Sequence, residues 1–305
     1  MDTAILFLIF NRPEPTQVVF ESIRKIKPRK LYISADGPRI SNSTDNDLCK
    51  SARKIETQVD WECEVKTLFR DENLGCANSV SSAISWFFDQ EDKGIILEDD
   101  CLPDQTFYKY SSELLTKYEN IPEVMLISGD YFLEGIYKPK YSYSFSRYNH
   151  CWGWASWKDS WSKYDHDMAE WPQLRNSRWL RELSDNHSAF VTYWTYIFDL
   201  TYRKKIDSWA YRWLYSCWLN NGLTIVPSKN LVKNLGFGID ATHTTSVNSI
   251  MNKENSQISF PLHHPEIIKR DLNADLLTEE KIINIKPNLR STILMKTGNY
   301  FRNYF

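Results

Sequence analysis

No apolar run in this 305-residue chain approaches the ~20 residues that a membrane-spanning helix requires. There is no C-x-x-C pair either. The six cysteines, Cys49, Cys63, Cys76, Cys101, Cys151 and Cys217, are widely scattered. That spacing offers neither a zinc site nor a disulfide framework and suits reduced thiols in a cytoplasmic protein. A basic excess is missing: the formal charge is −2, so no global field points to nucleic acid. The absence of G-x-x-x-x-G-K-[ST] argues against a P-loop NTPase. Internal repeats, low-complexity segments and a Pro/Ser linker are also lacking. The N-terminal Ala4–Phe10 run is short and follows an acid, Asp2. It ends in Asn11-Arg12-Pro13 rather than at a small-residue cleavage site, so it reads as a buried strand and not a signal peptide.

What the chain does have is alternation followed by aromatics. Strand-like runs are expected at Ala4–Phe10, Leu31–Ala35, Glu64–Phe69, Ile95–Leu97 and Val124–Ser128. Helical spacing appears between them, at Val19/Ile23/Ile26 after Pro13 and Pro15, and at Ala77/Val80/Ile84/Phe87 after Gly75. A third such set, Phe107/Ser111/Leu114/Tyr118, follows Asp104, a suitable N-cap. Strand–helix alternation implies a mostly parallel sheet with helices on both faces. The second half differs, since ten of the 12 tryptophans lie between Trp152 and Trp218. Helices are expected there at Trp154–Tyr164, Trp179–Leu183, Ala189–Lys204 and Trp209–Leu219, with a strand at Leu223–Val226. The expected division is 1–145, 146–265 and a C-terminal tail, 266–305, with the first two parts packed as one unit.

Residues 94–104, Gly-Ile-Ile-Leu-Glu-Asp-Asp-Cys-Leu-Pro-Asp, carry the most chemistry. A strand-length apolar run ends in three consecutive acids, Glu98, Asp99 and Asp100. Open α/β sheets place their ligand crevice at that end of a strand. Three carboxylates there repel one another and lose solvation unless a cation or polyhydroxyl ligand offsets the cost. Mn²⁺ or Mg²⁺ with a nucleotide-sugar meets that description, because a nucleoside diphosphate supplies oxygens of its own. An acidic turn capping the next helix is the plainer alternative, but Asp104 already suits that cap.

Three segments occur in order: Ile-Phe-Asn-Arg-Pro (9–13), Leu-Glu-Asp-Asp (97–100) and His-Cys-Trp-Gly-Trp-Ala-Ser-Trp (150–157). Together they resemble the GT-A glycosyltransferases, specifically the inverting N-acetylglucosaminyltransferase I type and similar bacterial polysaccharide and lipopolysaccharide enzymes. The likeness covers roughly residues 4–245. It implies an α/β, Rossmann-like GT-A fold with a helical, aromatic-rich acceptor part. It also implies transfer of a sugar, UDP-linked by preference, to a bacterial surface-glycan or lipid-linked glycan acceptor. By position, Asp100 would bind the metal, Asp99 would face the ribose and Glu98 the donor sugar. Asp36 would read the uracil, and it reads equally as a plain turn with Gly37. Trp152, Gly153 and Trp154 would help shape the sugar pocket, with Trp152, Trp154 and Trp157 as stacking platforms, although most tryptophans are core. Thr242 and His243 would contact the diphosphate in a loop beginning at Gly236, and His243 is a possible second metal ligand.

The loop Phe10-Asn11-Arg12 follows the first strand to the same sheet edge, and Arg12 suits a diphosphate. Gly75 would let backbone approach the nucleotide. An inverting transfer needs a general base. The family tends to carry an acid just after the position of Trp209, where this chain has Ala210. Asp207 is therefore the first choice, with Asp199 and Asp130 behind it; Asp207 also reads as the N-cap of the helix starting at Ser208. The stretch Ile285–Phe305 carries Lys286, Arg290, Lys296 and Arg302 and no acid, ending in aromatics. Such a tail suits the anionic inner face of a cell membrane, or a terminal helix docked on the body. Two other readings share parts of the pattern. A sugar-nucleotide pyrophosphorylase shares the sheet and acids but wants a Gly-rich loop where Asn11-Arg12-Pro13-Glu14 stands. A non-catalytic glycan-binding module would accommodate Ala210 and the tryptophans.

Overall fold

The computed structural model describes residues 1–184, 187–236 and 250–285. The first half alternates as expected: β1 (Ala4–Ile9), α1 (Pro13–Ile26), β2 (Lys30–Ala35), α2 (Asp45–Arg53), β3 (Glu64–Phe69), α3 (Cys76–Phe88) and β4 (Lys93–Glu98). A short β5 (Cys101–Pro103), α4 (Gln105–Lys117), β6 (Val124–Ser128), β7 (Tyr143–Ser146) and β8 (Trp154–Trp157) follow. The helical part comprises α5 (Lys158–Trp161), α6 (Trp171–Leu174), α7 (Trp179–Leu183), α8 (Ser188–Tyr202) and α9 (Trp209–Leu219). It is followed by β9 (Leu223–Pro227), β10 (Val232–Asn234) and α10 (Leu272–Leu277).

Eight strands form one sheet in the order β3-β2-β1-β4-β8-β6-β9-β7. Its first four strands are mutually parallel, β8 runs against β4 and β6, β9 is parallel to β6, and β7 is antiparallel to β9. This is the α/β, mostly parallel and helix-flanked architecture that the resemblance implies. Side chains leave a strand on alternate faces, so each buried strand feeds two cores. In β1, Ile5, Phe7 and Ile9 enter one core, while Ala4, Leu6 and Leu8 enter the other. Burial on both faces explains why these strands read as continuous apolar runs.

One expectation is corrected here. The Trp154–Tyr164 stretch is not one helix: residues 154–157 form β8, wedged between β4 and β6, and only Lys158–Trp161 is helical. Trp154 and Trp157 consequently lie in the two opposite cores rather than on one helical face. Strands β8 and β9 of the second half lie within the same sheet as β1–β4. The tryptophans of the second half cement helices to that sheet. Trp154 stacks on Trp209 with centroids 5.5 Å apart, and Trp161 and Trp213 join the same cluster. Each such ring removes roughly 150–250 Å² from water, which makes the cluster a main stabilising feature of the joint. Of the tail, α10 and the turn after it pack against the body: Asp275, fully buried, accepts from Ser146 Oγ and the Arg147 N–H and pairs with Arg270. Residues 286–305 lie outside the described residues. Among the described residues no helix is long and apolar enough to cross a membrane. All six cysteines are unpaired.

His150 gives the fold a testable pH signature. Its ring is buried, edge-on to Phe132 at 4.9 Å, and burial pulls its pKa from 6.5 down to about 4. Between those values the unfolded chain binds a proton that the folded chain refuses, so stability is lost as pH falls from 6.5 towards 4. The full effect is about 3 kcal/mol. In urea titrations across that range, His150→Phe should be less pH-dependent than wild type; an unchanged slope contradicts this.

Candidate active site

The strand order reverses its direction of growth between β1 and β4. After β1 the chain moves outward to β2, and after β4 it moves to the other side. A crevice opens outside the carboxyl ends of two such strands. The residues following β1 and β4 are Phe10–Arg12 and Asp99–Asp100, and they meet there. Arg12 spans both acids: Nη1 donates to Asp100 Oδ2 at 2.8 Å, and Nη2 donates to Asp99 Oδ1. The Phe10 N–H donates to Asp99 Oδ2 at 3.2 Å. The Asp99 side chain is thereby almost sealed, 3% exposed, whereas that of Asp100 keeps 15%. Asp100 is the acid that can still meet a ligand.

One guanidinium faces three carboxylates, and the electrostatics show the deficit. Burial, then the charges of Asp100 and Asp99, push Glu98 up to about 8, with Arg12 only partly opposing. Burial also raises Asp99 above the usual carboxylate range despite Arg12. Burial disfavours the Arg12 charge, but the two acids outweigh it and hold the guanidinium firmly protonated. Further positive charge at this turn would relieve all three acids.

A second element comes within contact of the acids. Strand β10 pairs antiparallel with β5, placing Asn234 opposite Cys101, and the Leu235 N–H donates to the Asp100 carbonyl at 2.7 Å. The next residue is Gly236. A Cβ there would lie 2.5 Å from Asp100 Oδ2, 2.9 Å from Asn234 Oδ1 and 3.4 Å from Arg12 Nη1. A side chain here would have to displace the Asp100 carboxylate or the Asn234 amide. Thr242 and His243 follow on the same stretch of chain but lie outside the described residues.

A divalent cation fits this donor set in part. Among the described residues no three His, Cys, Asp or Glu side chains converge to hold a metal unaided. Asp100 can supply one carboxylate, and the phosphate oxygens of a nucleotide would have to supply others. The uncompensated negative charge at the turn and the side-chain-free approach at Gly236 both suit such a shared ion.

The remaining site residues divide sharply. Asn11 donates to Asp45 Oδ1 at 2.8 Å, and Arg39 binds the same carboxylate at 2.6 and 3.0 Å. The Arg39 hydrogen bonds, helped by Asn11, hold the fully buried Asp45 down to about 2. Asn11 therefore anchors the loop after β1, and the Phe10 ring lies under the Arg39 guanidinium at 5.4 Å. Asp36 accepts from the Gly37, Leu74 and Gly75 N–H groups and from Asn73 Nδ2 at 2.9–3.2 Å. With four donors from the chain and 8% exposure, Asp36 organises the 73–75 loop. Gly75 has φ +79° and stands at the N-terminus of α3 without a capping side chain.

That missing cap comes from far away. Asp207 accepts from the Cys76 N–H through Oδ2 and the Ala77 N–H through Oδ1, each at 3.0 Å. It does not cap the helix that follows it; Ser208 does that, accepting from the Ala210 N–H. Asp207 is exposed, and Cys76, which it caps, lies within electrostatic reach of Glu98. Of the three acids considered as base, Asp207 alone combines exposure with a place beside the crevice. Asp199 is held by Arg175 at 2.7 and 2.8 Å and by Trp171 Nε1 at 3.1 Å within the helical part. Burial opposes its ionisation, but those hydrogen bonds outweigh it and lower its pKa. Asp130 is 1% exposed, and Oδ2 accepts from the Trp152 N–H at 2.9 Å while Oδ1 has no partner. Burial pushes its pKa well above the usual carboxylate range. Asp199 and Asp130 are thus corrected from base to scaffold. Ala210, 1% exposed, faces the Trp154 cluster and not a ligand.

Among the tryptophans, Trp154 is fully buried and Trp157 is 5% exposed, so neither offers a face to a sugar. Trp152 stays half-buried against Phe132, and Gly153 is held to Gly129 by a 2.8 Å backbone bond. Sequence reasoning passed over Asn234 and Asp45; a buried acid with two basic or amide partners leaves no spacing signal.

No family model matches the chain, and no curated protein matches it by sequence. Solved structures overlap it in part. HddC from Yersinia pseudotuberculosis aligns with 51% of this chain and 77% of its own, at TM-score 0.29 and 12% identity. UDP-glucose pyrophosphorylase complexed with UDP-glucose aligns at 0.27 and 11%, over 49% of this chain and 59% of its own. Mouse xyloside xylosyltransferase 1 in its apo form aligns at 0.32 and 11%, over 71% and 81%. Similarity this slight carries no functional weight, and the chemistry rests on the crevice.

Proposed function

We propose that the chain is a glycosyltransferase that takes a sugar from a nucleotide-sugar, UDP-linked by preference, with inversion at the anomeric carbon. The carrying observation is the acidic turn at the β1/β4 reversal, where one arginine faces three carboxylates and Gly236 closes over the exposed one. Asp100 would hold Mn²⁺ or Mg²⁺ jointly with the diphosphate, with His243 as a further ligand. The ion would supply positive charge where the leaving diphosphate gains negative charge. Arg12 is placed to shift from Asp100 to the phosphates, which match its planar fork. Glu98, beside Asp99 and Asp100 at the end of β4, is the proposed partner of a sugar hydroxyl. Asp207 is the proposed base for the acceptor hydroxyl, positioned by two backbone N–H groups. The acceptor in this reading is a bacterial surface glycan, on a lipid carrier at the inner membrane face.

Incubation with UDP- and GDP-sugars and Mn²⁺ tests the reaction: UDP release, without pyrophosphate formation from UTP and a sugar phosphate, is expected. Pyrophosphate release would replace this reading with a pyrophosphorylase. Asp207→Asn removes the proton acceptor, while its single amide oxygen keeps one of the two bonds to the start of α3. Turnover should fall about 10²-fold or more, the low end of what a general base contributes, with UDP affinity unchanged and the thermal midpoint lowered only by the loss of one cap bond. Retained turnover removes Asp207 from the chemistry.

A further inference from the structure

A cleft of about 540 Å³ lies away from the acidic turn, between the 131–142 connection, the end of β9 and His263. That volume is in the range of sites for small ligands. Strands β6 and β9 are parallel and both deliver their carboxyl ends to it, so it opens on the same edge of the sheet as the acids. From Lys229 on its wall the chain runs through β10 to Asn234 and Gly236 above Asp100. Asn234 lies five positions after Lys229, which limits that distance to roughly 18 Å.

The walls are fixed by hydrogen bonds. The Tyr131 N–H donates to Asn230 Oδ1 at 2.9 Å, and Tyr137 Oη donates to Asp271 at 2.9 Å. Lys253 Nζ ties the Glu134 carbonyl at 3.1 Å. The lining combines two half-buried aromatic rings, Tyr137 and Tyr141, with the cations Lys138, Lys140 and Lys229. Glu134 is the one carboxylate on the wall, and Lys229 holds it at 3.1 Å. Lys138 and Lys140 have no ion-pair partner among the described residues, although Glu266 is within electrostatic reach of Lys140. Lys140 lies over the Tyr141 ring at 4.9 Å. The Tyr137 ring can meet the C–H side of a sugar ring, and the exposed ammonium groups of Lys138 and Lys140, the latter also hydrogen-bonded to Tyr141, select for anions.

We infer that this cleft seats a negatively charged oligosaccharide, bearing carboxylates or phosphates, as the acceptor chain of the transfer. The acceptor role rests on the transferase reading; the binding itself does not. The test is calorimetry on the full chain with three probes: a galacturonic acid hexamer, phosphorylated maltohexaose and neutral maltohexaose. At least one charged probe should bind about tenfold or more tightly than the neutral one and weaken with added salt. The better charged probe identifies the anion. Lys138→Glu with Lys140→Glu, both at exposed positions, should weaken that binding about tenfold and leave UDP affinity in Mn²⁺ unchanged. Equal binding of the neutral probe, or full binding by the variant, overturns the cleft. Charged-probe binding without any UDP binding keeps the cleft and removes the transferase reading.

Discussion

Asp100→Ala abolishes Mn²⁺-dependent UDP binding and lowers turnover of a UDP-sugar by about 10²–10³-fold, the scale of removing one electrostatic contact at a reacting centre. Asp100 is the one acid of the turn whose side chain retains appreciable exposure among those Arg12 grips. Its loss leaves Arg12 paired to Asp99 alone. The fold should not suffer, because a like charge beside Glu98 and Asp99 is removed. The thermal midpoint without nucleotide is therefore expected to be equal to wild type or higher. Calorimetry and circular dichroism on the same preparation check both halves. Wild-type UDP affinity in the folded variant would show that the turn does not hold the ion.

Gly236→Val should disable the site without touching any carboxylate. The added Cβ would lie 2.5 Å from Asp100 Oδ2, closer than such atoms approach one another. Something must move, and Asp100 is bound to Arg12 while the Gly236 N–H is bound to Asn234 Oδ1 at 2.6 Å. Either Asp100 rotates away or the chain after β10 lifts off the crevice. UDP affinity in Mn²⁺ is expected to drop at least about tenfold, because either movement misplaces a ligand held to within about half an ångström. Gly236→Ala should show a smaller drop. The Asn234 end is a flexible amide that can yield; the Asp100 end is not. Unchanged UDP affinity in Gly236→Val would mean that β10 does not cover the nucleotide.

The parts of the fold legible in sequence are those whose signal is local. β3 and β6 begin and end where they are expected from the sequence, at Glu64–Phe69 and Val124–Ser128, and Asp104 caps α4 by accepting from the Thr106 N–H at 2.8 Å. β8 was hidden because its tryptophans, at 154, 157 and 161, repeat at helical spacing. The strand is buried on both faces, so it shows no polar alternation to betray it. α2 was passed over because only Cys49, Ala52 and the polar Asp45 are buried along it, too few for an apolar stripe. In the site, the acidic turn and the loop after β1 were both legible, and the resemblance placed them together. The contact between them was not: Arg12 had been matched to a diphosphate, and it is the acids themselves that it grips. Asp207 is the sharpest case. Gly75 offers the start of α3 no accepting side chain, and the carboxylate that accepts from the Cys76 N–H lies 131 residues away in sequence. No local pattern encodes such a pairing. Asp36, Asp130 and Asp199 share this lesson, since an acid's role is set by which N–H groups the fold brings to it.

The most direct test is a calorimetric titration of UDP into the wild-type chain, with Mn²⁺ and again with EDTA. Saturable heat at one site with Mn²⁺, lost in EDTA, is the expected result. Absence of heat in Mn²⁺, or identical binding in EDTA, would contradict a metal shared between Asp100 and a nucleoside diphosphate.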